Sequence, residues 1–303
     1  MRSSKRLPSA IANGKSKITQ SILRWYRHHQ RNLPWRRTRN AYRILVSEIM
    51  LQQTQVSRVL LKYPEFLKRF PNVASLAAST PAEIIRAWQG MGYNNRALRL
   101  RQLAMIVTHE FRGRVPRNVE ALQKLPGIGN YTAHAVACFA FEQQVPVVDT
   151  NIRRVLRRIY GSNTSHIDDW QLASLALPRR SAYDWNQALM DFGATICTAS
   201  NPNCAQCPAC NDCASAHRVR KTSKKKKSTR HIPDRIYRGK IIEALRHASD
   251  RHPVELHNLG SQIKENFASA DFLWIQALAE KLQRDGLVTI TKKRKRFFLS
   301  FPQ

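Results

Sequence analysis

The sequence feature that most constrains the fold is a glycine-containing segment between two helix-like segments. Residues 125–133 read LPGIGNYTA, residues 119–124 predict a short helix before them, and residues 131–141 predict an apolar helix after them. Gly127 and Gly129 suit a tight turn, because a Cβ would oppose the backbone angles that it needs. The N–H groups and the dipole at the start of the second helix favour an anion such as a phosphate. For Gly-x-Gly alone, an ordinary helix–helix turn is the alternative.

The composition indicates a polyanionic partner. The chain of 303 residues suffices for about two domains, and 51 Lys and Arg against 20 Asp and Glu give a formal net charge of +31. Such an excess favours nucleic acid, with an anionic membrane surface as the competitor. The sequence has no apolar run of about 18 residues and no signal-peptide core. We therefore expect a monomeric cytoplasmic protein, associated with the nucleoid, with reduced thiols and no membrane partner.

Apolar periodicity predicts an all-α core that occupies most of the chain. A basic arm is expected over residues 1–17, a helical core over 18–215, and a Lys/Arg/Ser/Thr-rich linker over 216–233. Within the core, apolar residues at helical spacing run over residues 41–61, although the polar residues 52–54 interrupt them. A helix that served only core packing would not contain this interruption.

Residues 234–303 differ in character and predict a second, smaller domain. Three helical segments precede two strand-like segments around a basic turn: 235–247, 255–267 and 270–284, then 287–290 and 296–299 around 292–295. This order resembles a winged-helix domain, whose basic wing suits DNA contact. A small dimerisation or core-stabilising module is the alternative.

The cysteines are clustered, which in a reducing compartment predicts metal or cluster ligation. Four of them have the spacing C-x6-C-x2-C-x5-C: Cys197, Cys204, Cys207 and Cys213. Four thiolates suit zinc or an iron–sulfur cluster on chemistry alone. The spacing resembles the [4Fe-4S] loop of the endonuclease III and adenine glycosylase families, which implies a structural [4Fe-4S] cluster without Cys210. Cys138 is expected to pack in a helix.

Two acidic residues stand in settings that suit acid–base work. Asp149 ends an apolar run before a predicted helix, where its ordinary role is an N-cap. Glu48 lies in a mostly apolar helical segment, where burial would raise its pKa; a solvent-facing helix position is the alternative. Cleavage of a sugar–base bond needs a neutral acid at the leaving base and a carboxylate at the sugar. Glu48 and Asp149 are our candidates for these two roles.

The motif around Glu48 carries a family resemblance. Residues 47–56 read SEIMLQQTQV and closely resemble the signature of the MutY family of adenine DNA glycosylases. The resemblance covers residues 33–213, and the LPGIGNYTA segment resembles the helix-hairpin-helix of base-excision DNA glycosylases. It implies that Glu48 protonates the adenine leaving group and that Asp149 stabilises the oxocarbenium ion or its covalent adduct.

Two further residues match positions that support this chemistry, namely Tyr131 and Asn151. Relatives of endonuclease III that also cut the strand have a Schiff-base-forming lysine where this chain has Tyr131. We therefore predict base removal without efficient strand cleavage, although Lys124 is close in sequence and leaves weak lyase activity open.

The same resemblance implies contacts with DNA and with the extruded base. The implied DNA-contacting residues are Leu51, Gln53, Thr54, Tyr93, Gly127 and Gly129. Leu51 and Gln53 match residues that enter the base stack at the lesion, and Tyr93 matches the aromatic residue that intercalates beside the opposite base. The implied base-recognition residues are Trp35, Arg36 and Gln187. An amide such as Gln187 can pair with an adenine edge as donor and acceptor, while a surface contact is the alternative for Arg36 and Gln187. The family often has a second aromatic residue after Tyr93, whereas this chain has Asn94.

Two departures leave the substrate open. Archaeal thymine-mismatch glycosylases resemble the chain at residues 113–118 and at the Tyr131/Asp149 pair, but they usually carry an apolar residue where Gln187 stands. The C-terminal part is shorter than the MutT-like domain of typical adenine glycosylases. We expect a monofunctional glycosylase acting on adenine opposite 8-oxoguanine or guanine. The alternatives are a thymine or uracil mismatch glycosylase of the same fold and a non-enzymatic lesion-sensing DNA-binding protein.

Overall fold

The computed structural model describes residues 9–218, 232–248 and 253–303. Residues 1–8 of the expected basic arm and residues 219–231 of the expected linker lie outside this part. The helices in the described part are α1 (Ser9–His29), α2 (Ala41–Leu51), α3 (Val56–Arg69), α4 (Val73–Ala77), α5 (Pro81–Ala87), α6 (Asn95–Glu110), α7 (Val119–Gln123), α8 (Asn130–Phe141), α9 (Thr150–Tyr160), α10 (Asp169–Ala176), α11 (Ala182–Thr195), α12 (Asp234–His247), α13 (Leu256–Ile263) and α14 (Phe272–Arg284).

The strands form one small sheet, and the all-α expectation is confirmed for the rest of the described chain. The strands are β1 (Val254–Glu255), β2 (Thr289–Lys293) and β3 (Arg296–Ser300). They pair antiparallel in the order β1-β3-β2, with Leu299 of β3 opposite both Val254 and Ile290. Three helices interleaved with this sheet give the winged-helix arrangement that the sequence predicts, with β1 as the strand that the sequence pattern did not reveal.

Two helix boundaries differ from the sequence expectation. Helix α1 begins at Ser9, inside the segment expected to be a basic arm. The expected helix over residues 41–61 is divided, because α2 ends at Leu51 and α3 begins at Val56. Gln53, between them, has φ +54°, a left-handed conformation that no α-helix accommodates. The polar interruption in the apolar pattern therefore marks a turn.

The chain forms two compact units, each assembled from separated segments. The first comprises residues 1–44, 117–123 and 128–225 and contains α1 and α7 to α11. Its core is built where α11 packs between α1 and α9. Asp191 of α11 is fully buried there and accepts hydrogen bonds from Arg31 and Arg36.

The second unit comprises residues 45–116, 124–127 and 226–303 and contains α3 to α6 together with the winged-helix segment. Helix α4 packs on α6, and α12 packs on α13 and α14. Ile85 of α5 belongs to the same apolar cluster as Ile241, Leu278 and Leu299 of the C-terminal segment. The C-terminal segment therefore completes its core with a residue from α5. No helix in the described residues is long and apolar enough to cross a membrane.

Candidate active site and DNA-binding elements

In the first unit, Asp149 is held at the start of α9. It is the N-cap residue, and one carboxylate oxygen accepts a hydrogen bond from the backbone N–H of Ile152 at 2.6 Å. Asn151 Nδ2 donates to the other oxygen at 3.2 Å. Burial raises the pKa of Asp149 above its ordinary value, and the donors from Ile152 and Asn151 act against this shift. The capping alternative is therefore correct, and capping leaves the carboxylate in a partly desolvated setting that suits catalysis.

The orientation of the Asn151 amide is fixed by Arg154. Arg154 Nη2 donates to Asn151 Oδ1 at 2.8 Å, so the amide nitrogen of Asn151 is left to face Asp149. The same guanidinium donates to the carbonyl oxygens of Gly193 at 2.6 Å and Cys197 at 3.0 Å. A Cβ on Gly193 would lie 2.7 Å from Asn151 Cβ, so only glycine allows this approach. Arg154 and Gly193 are residues that the sequence pattern gave no reason to select.

The two glycines of the predicted hairpin have different structural roles. Gly127, in the second unit, has φ +79°, and a Cβ there would lie 3.3 Å from Arg99 Cβ. Gly129, in the first unit, is the residue before α8 and has no side chain with which to cap it. The N–H groups of the first turn of α8 are therefore not capped by Gly129, which suits a phosphate. Tyr131 lies in that same turn and is partly buried.

Glu48 lies in the second unit, in the last two turns of α2. It is 4% exposed and follows Ser47, which is also buried. The solvent-facing alternative for this glutamate is therefore wrong for the described structure. A buried carboxyl in a helix of mostly apolar residues loses hydration of its charged form.

In the second unit, one buried arginine joins the two loops that carry predicted DNA contacts. Arg96 Nη1 donates to the carbonyl oxygens of Ile49 at 2.8 Å and Met50 at 3.0 Å, and also to that of Gln52. Its Nη2 donates to Thr54 Oγ1 at 2.9 Å and to the carbonyl oxygens of Met91 and Gly92 at 2.9 and 3.1 Å. Burial lowers its pKa to about 10, so it is charged near neutral pH. Arg96 thus fixes both loop backbones, and the sequence pattern did not indicate it.

Two predicted DNA-contacting residues on these loops, Gln53 and Tyr93, have an unusual backbone conformation. Gln53 has φ +54° and Tyr93 has φ +46°, in the left-handed region that non-glycine residues seldom adopt. Both are exposed, and Tyr93 reaches 59% exposure. Leu51, at the end of α2, is partly buried. Exposed residues whose strained backbone conformation is maintained by the surrounding structure are typical of functional loops.

The three predicted base-recognition residues lie in the first unit and are buried. Trp35 and Gln187 are 6% and 5% exposed. Arg36 donates to both oxygens of Asp191, from Nη1 at 2.7 Å and from Nη2 at 2.8 Å. Burial opposes charge on Asp191, but the Arg36 and Arg31 guanidiniums hold its pKa below the ordinary value. The surface-contact alternative is therefore wrong for Arg36 and Gln187. Both terminal nitrogens of Arg36 are engaged in the ion pair with Asp191.

The four cysteines with the family spacing line one pocket in the first unit. The pocket is bounded by Cys197, Cys204, Cys207 and Cys213, together with apolar residues such as Ile159 and Phe192. Cys210 does not line it, and its Sγ lies 3.3 Å from His217 Nε2 instead. Arg158 Nη1 lies 3.4 Å from Cys197 Sγ and can donate to a thiolate. Within the part of the chain that the structure describes, no three His, Cys, Asp or Glu side chains are placed to hold a metal ion.

Comparison with known proteins decides the family. A family model described as HhH-GPD superfamily base excision DNA repair protein matches residues 46–173. An adenine DNA glycosylase from Mycolicibacterium smegmatis is 44% identical over 285 residues, which cover 89% of this chain and 92% of that protein. The chain belongs to the adenine DNA glycosylase (MutY) family. It is accordingly a DNA glycosylase of base excision repair, and the predicted fold and enzyme class are confirmed.

Two further relatives match a smaller part of the chain. An adenine DNA glycosylase from Homo sapiens is 41% identical over 214 residues, covering 66% of this chain and 39% of that protein. A solved structure titled as a thermostable thymine-DNA glycosylase superposes with a TM-score of 0.65 at 34% identity, covering 68% of this chain and 99% of that chain. The M. smegmatis match covers 89% of this chain, so the unmatched residues are fewer than residues 234–303 contain. Part of this C-terminal segment is therefore shared with that bacterial protein.

Proposed function

We propose that the protein is a monofunctional adenine DNA glycosylase that hydrolyses the N-glycosidic bond of adenine opposite 8-oxoguanine or guanine. The adenine DNA glycosylase of M. smegmatis, similar over 89% of this chain, carries the choice of adenine. The Asp149 arrangement supports the reaction class, because a carboxylate held by two donors can stabilise positive charge on a sugar.

In the proposed mechanism, two carboxyls divide the work. Glu48, which is buried, is assigned the role of the acid that donates a proton to the departing adenine. Asp149 remains ionised with the help of the Ile152 N–H and the Asn151 amide, and it faces the cation that develops at the deoxyribose. The proposal requires Glu48 and Asp149 to act on one extruded nucleotide. Tyr131 supports this chemistry from the first turn of α8.

The absence of a lysine at position 131 supports base removal without strand cleavage. A lyase step needs an amine nucleophile that forms a Schiff base with the sugar. Tyr131 has no amine, so water completes the reaction and an abasic site remains. Lys124 leaves room for weak lyase activity, which alkali-free gels would detect.

Adenine recognition is assigned to Trp35, Arg36 and Gln187. The Gln187 amide offers one donor and one acceptor, which matches an edge of adenine. Arg36 Nε is buried without a hydrogen-bond partner among the described residues, so one donor of this side chain is left for the base. Trp35 supplies an apolar surface beside them.

DNA binding follows from charge and from the loops. Each phosphate that a cationic side chain neutralises steepens the fall of log affinity by about 0.9 per unit of log salt concentration. The net charge of +31 allows many such contacts. Leu51, Gln53 and Tyr93 enter the base stack at the mispair, supported by Thr54. The Gly127/Gly129 hairpin holds a backbone phosphate. We further propose that the protein acts as a monomer at the nucleoid in the cytoplasm.

The cysteine pocket is proposed to hold a [4Fe-4S] cluster. The chemistry of the four lining thiols supports this proposal, because soft thiolates are the usual ligands of such a cluster and Arg158 lies beside one of them. The cluster would fix the loop of residues 197–213. Absorbance near about 400 nm is expected for an iron–sulfur cluster. Cys204→Ser should lower this absorbance, while the matched variant Cys210→Ser should keep it; an equal loss in both variants would contradict the ligand set.

A thymine-mismatch glycosylase is the second candidate, favoured by the 34% identity to the solved thymine-DNA glycosylase. The test is single-turnover base release from duplexes with adenine, thymine or uracil opposite 8-oxoguanine, guanine or thymine, with alkali added to cut abasic sites. We expect release of adenine alone. Release of thymine or uracil without adenine would establish the second candidate. Tight binding without any release would establish a lesion-sensing protein.

A further inference from the structure

The second unit contains a hydrogen bond between the Tyr93 loop and the winged-helix domain. Arg246, near the end of α12, donates from Nη2 to Asn94 Oδ1 at 2.9 Å. Asn94 directly follows the exposed Tyr93. The contact therefore joins the C-terminal domain to the residue beside the predicted intercalating aromatic.

Asn94 uses its side-chain oxygen for this contact and not for the start of α6. It is the N-cap residue of α6, a position where asparagine usually accepts a hydrogen bond from the first turn of the helix. Its side chain makes no such capping bond. Asn94 has a helical backbone, with φ −57° and ψ −23°, and its amide oxygen is directed to Arg246.

Arg246 is itself held rigidly by several partners. Its Nε and Nη2 both donate to the carbonyl oxygen of Ile85, at 3.1 and 2.9 Å, and its Nη1 donates to Glu243 at 2.8 Å. The Arg246 side chain is 7% exposed. A buried guanidinium with this many acceptors cannot change rotamer without leaving carbonyls unsatisfied. It can therefore transmit the position of α12 to Asn94.

Further contacts keep α12 against α5 and the turn after it. Arg86 donates to the carbonyl oxygens of Arg246 at 2.6 Å and Ala248 at 3.3 Å. Gln89 donates to Glu243. Together with Ile85 in the shared apolar cluster, these bonds make the C-terminal domain a fixed support and not a tethered module.

We propose that the winged-helix domain positions the Tyr93 loop through the Arg246–Asn94 hydrogen bond, and so makes adenine excision depend on the opposite base. This inference rests on the proposed function, since it takes Tyr93 as the residue beside that base. Arg246 and Asn94 are positioning residues, because they act through Tyr93. A second, base-recognising domain is then unnecessary for opposite-base dependence, since the domain acts on a probe in the core.

The test compares Asn94→Leu, Arg246→Met, their double variant and Asn94→Asp, which keeps an acceptor for Arg246. Single-turnover excision is measured with adenine opposite 8-oxoguanine and opposite an abasic-site analogue. Asn94→Leu and Arg246→Met should each slow adenine excision from the 8-oxoguanine duplex about tenfold, while excision from the duplex with the abasic-site analogue stays within about twofold of wild type. The double variant should lose no more than either single variant. Asn94→Asp should retain the wild-type preference.

Arg238→Met is the matched control, because Arg238 forms an ion pair with Asp285 in the same domain, outside the Tyr93 loop. It should keep the preference even if it lowers the melting temperature. Equal slowing on both duplexes, additive loss in the double variant, or Asn94→Asp behaving as Asn94→Leu would overturn the proposal.

A second readout separates this proposal from the proposed function. The fluorescence of 2-aminopurine placed next to 8-oxoguanine reports unstacking when protein binds, whether or not a base is released. Wild type and Asn94→Asp should give the same increase, and Asn94→Leu a smaller one. If wild type releases no adenine, this measurement still decides the inference; if Asn94→Leu matches wild type in fluorescence, the inference fails while the glycosylase assignment stands.

Discussion

Two arginines with largely buried side chains, one in each unit, have different kinds of hydrogen-bond partner. Arg36 in the first unit meets the fully buried carboxylate of Asp191, and this anion overcomes the cost of burial and raises the pKa of Arg36. Arg96 in the second unit donates to five carbonyl oxygens and one hydroxyl, and pairs with no carboxylate among the described residues. Burial therefore lowers the pKa of Arg96.

The difference shows two uses of the same side chain. A carboxylate partner gives stability that depends on pH, because the carboxylate titrates. Backbone carbonyl partners fix loop shape instead, and they do so without a second ionisable group. The first arrangement holds helices in the core of the first unit, whereas the second holds the loops of Gln53 and Tyr93.

The largest expected effect sharpens the comparison by sparing both arginines. Glu48→Gln removes the acid while Ile49 and Met50, the next residues of α2, keep their bonds to Arg96. Single-turnover adenine excision should fall about a thousandfold, since proton donation to the leaving base is lost. Affinity for the uncleaved mispair should stay within about twofold, well below the roughly tenfold change that 1.4 kcal/mol would give. Near-normal excision by this variant would contradict the assignment of Glu48 as the acid.

The next prediction breaks the carboxylate-held arginine. Asp191→Asn leaves Arg36 buried without its anion and should lower the free energy of unfolding by about 3–5 kcal/mol near neutral pH. Because the pKa of Asp191 is held low, its contribution is present above its unfolded pKa of about 4 and is lost as the pH falls through the folded value. The difference from wild type should therefore shrink in acid, as measured by urea unfolding across pH.

The exposed pair of Arg39 and Glu142 provides the control for that experiment. Glu142→Gln should change stability by less than about 1 kcal/mol at any pH. A difference for Asp191→Asn that stays constant with pH would show that packing, and not the charge of Asp191, is what the substitution removes.

The third prediction breaks the carbonyl-held arginine. Arg96→Met leaves buried carbonyl oxygens of both loops without a donor and should lower the free energy of unfolding by about 3 kcal/mol. It should also weaken binding to a mispaired duplex more than to a matched one, because Gln53 and Tyr93 lose their fixed backbones. Arg101→Met, on the same helix, removes a bond to the Ser79 carbonyl and should leave that preference intact. Equal binding losses in the two variants would refute the role of Arg96.

These arginines also mark the limit of what the sequence reveals. The hairpin turn, the pocket lined by the spaced cysteines and the buried setting of Glu48 could be predicted, since each depends on residue type at a fixed spacing. Arg96 and Arg154 could not be selected in this way, because a bond to a backbone carbonyl requires no particular residue type at the acceptor. Neither could the shared core between Ile85 and the C-terminal domain, which joins segments far apart in the chain.

The burial of polar residues was equally hard to predict. Gln187 and Arg36 suit a surface by composition, and only the packing of α11 against its neighbours makes them buried. The division of residues 41–61 into α2 and α3 was indicated by its polar interruption, but the left-handed Gln53 depends on the loop that Arg96 holds. Local pattern therefore revealed the motifs, while tertiary hydrogen bonds determine their shape.

The smallest expected effect concerns Arg154, which donates to three carbonyl oxygens and to the amide oxygen of Asn151. Arg154→Met frees the Asn151 amide to rotate away from Asp149 without removing either residue. Excision should slow about tenfold at saturating enzyme, while affinity for a non-cleavable mispair stays unchanged, because the defect lies in the sugar-facing geometry. Arg153→Met, on an exposed neighbour, should change neither quantity. Loss of affinity without loss of rate would instead make Arg154 a DNA contact, and the contrast between loop-fixing and amide-fixing arginines would fail.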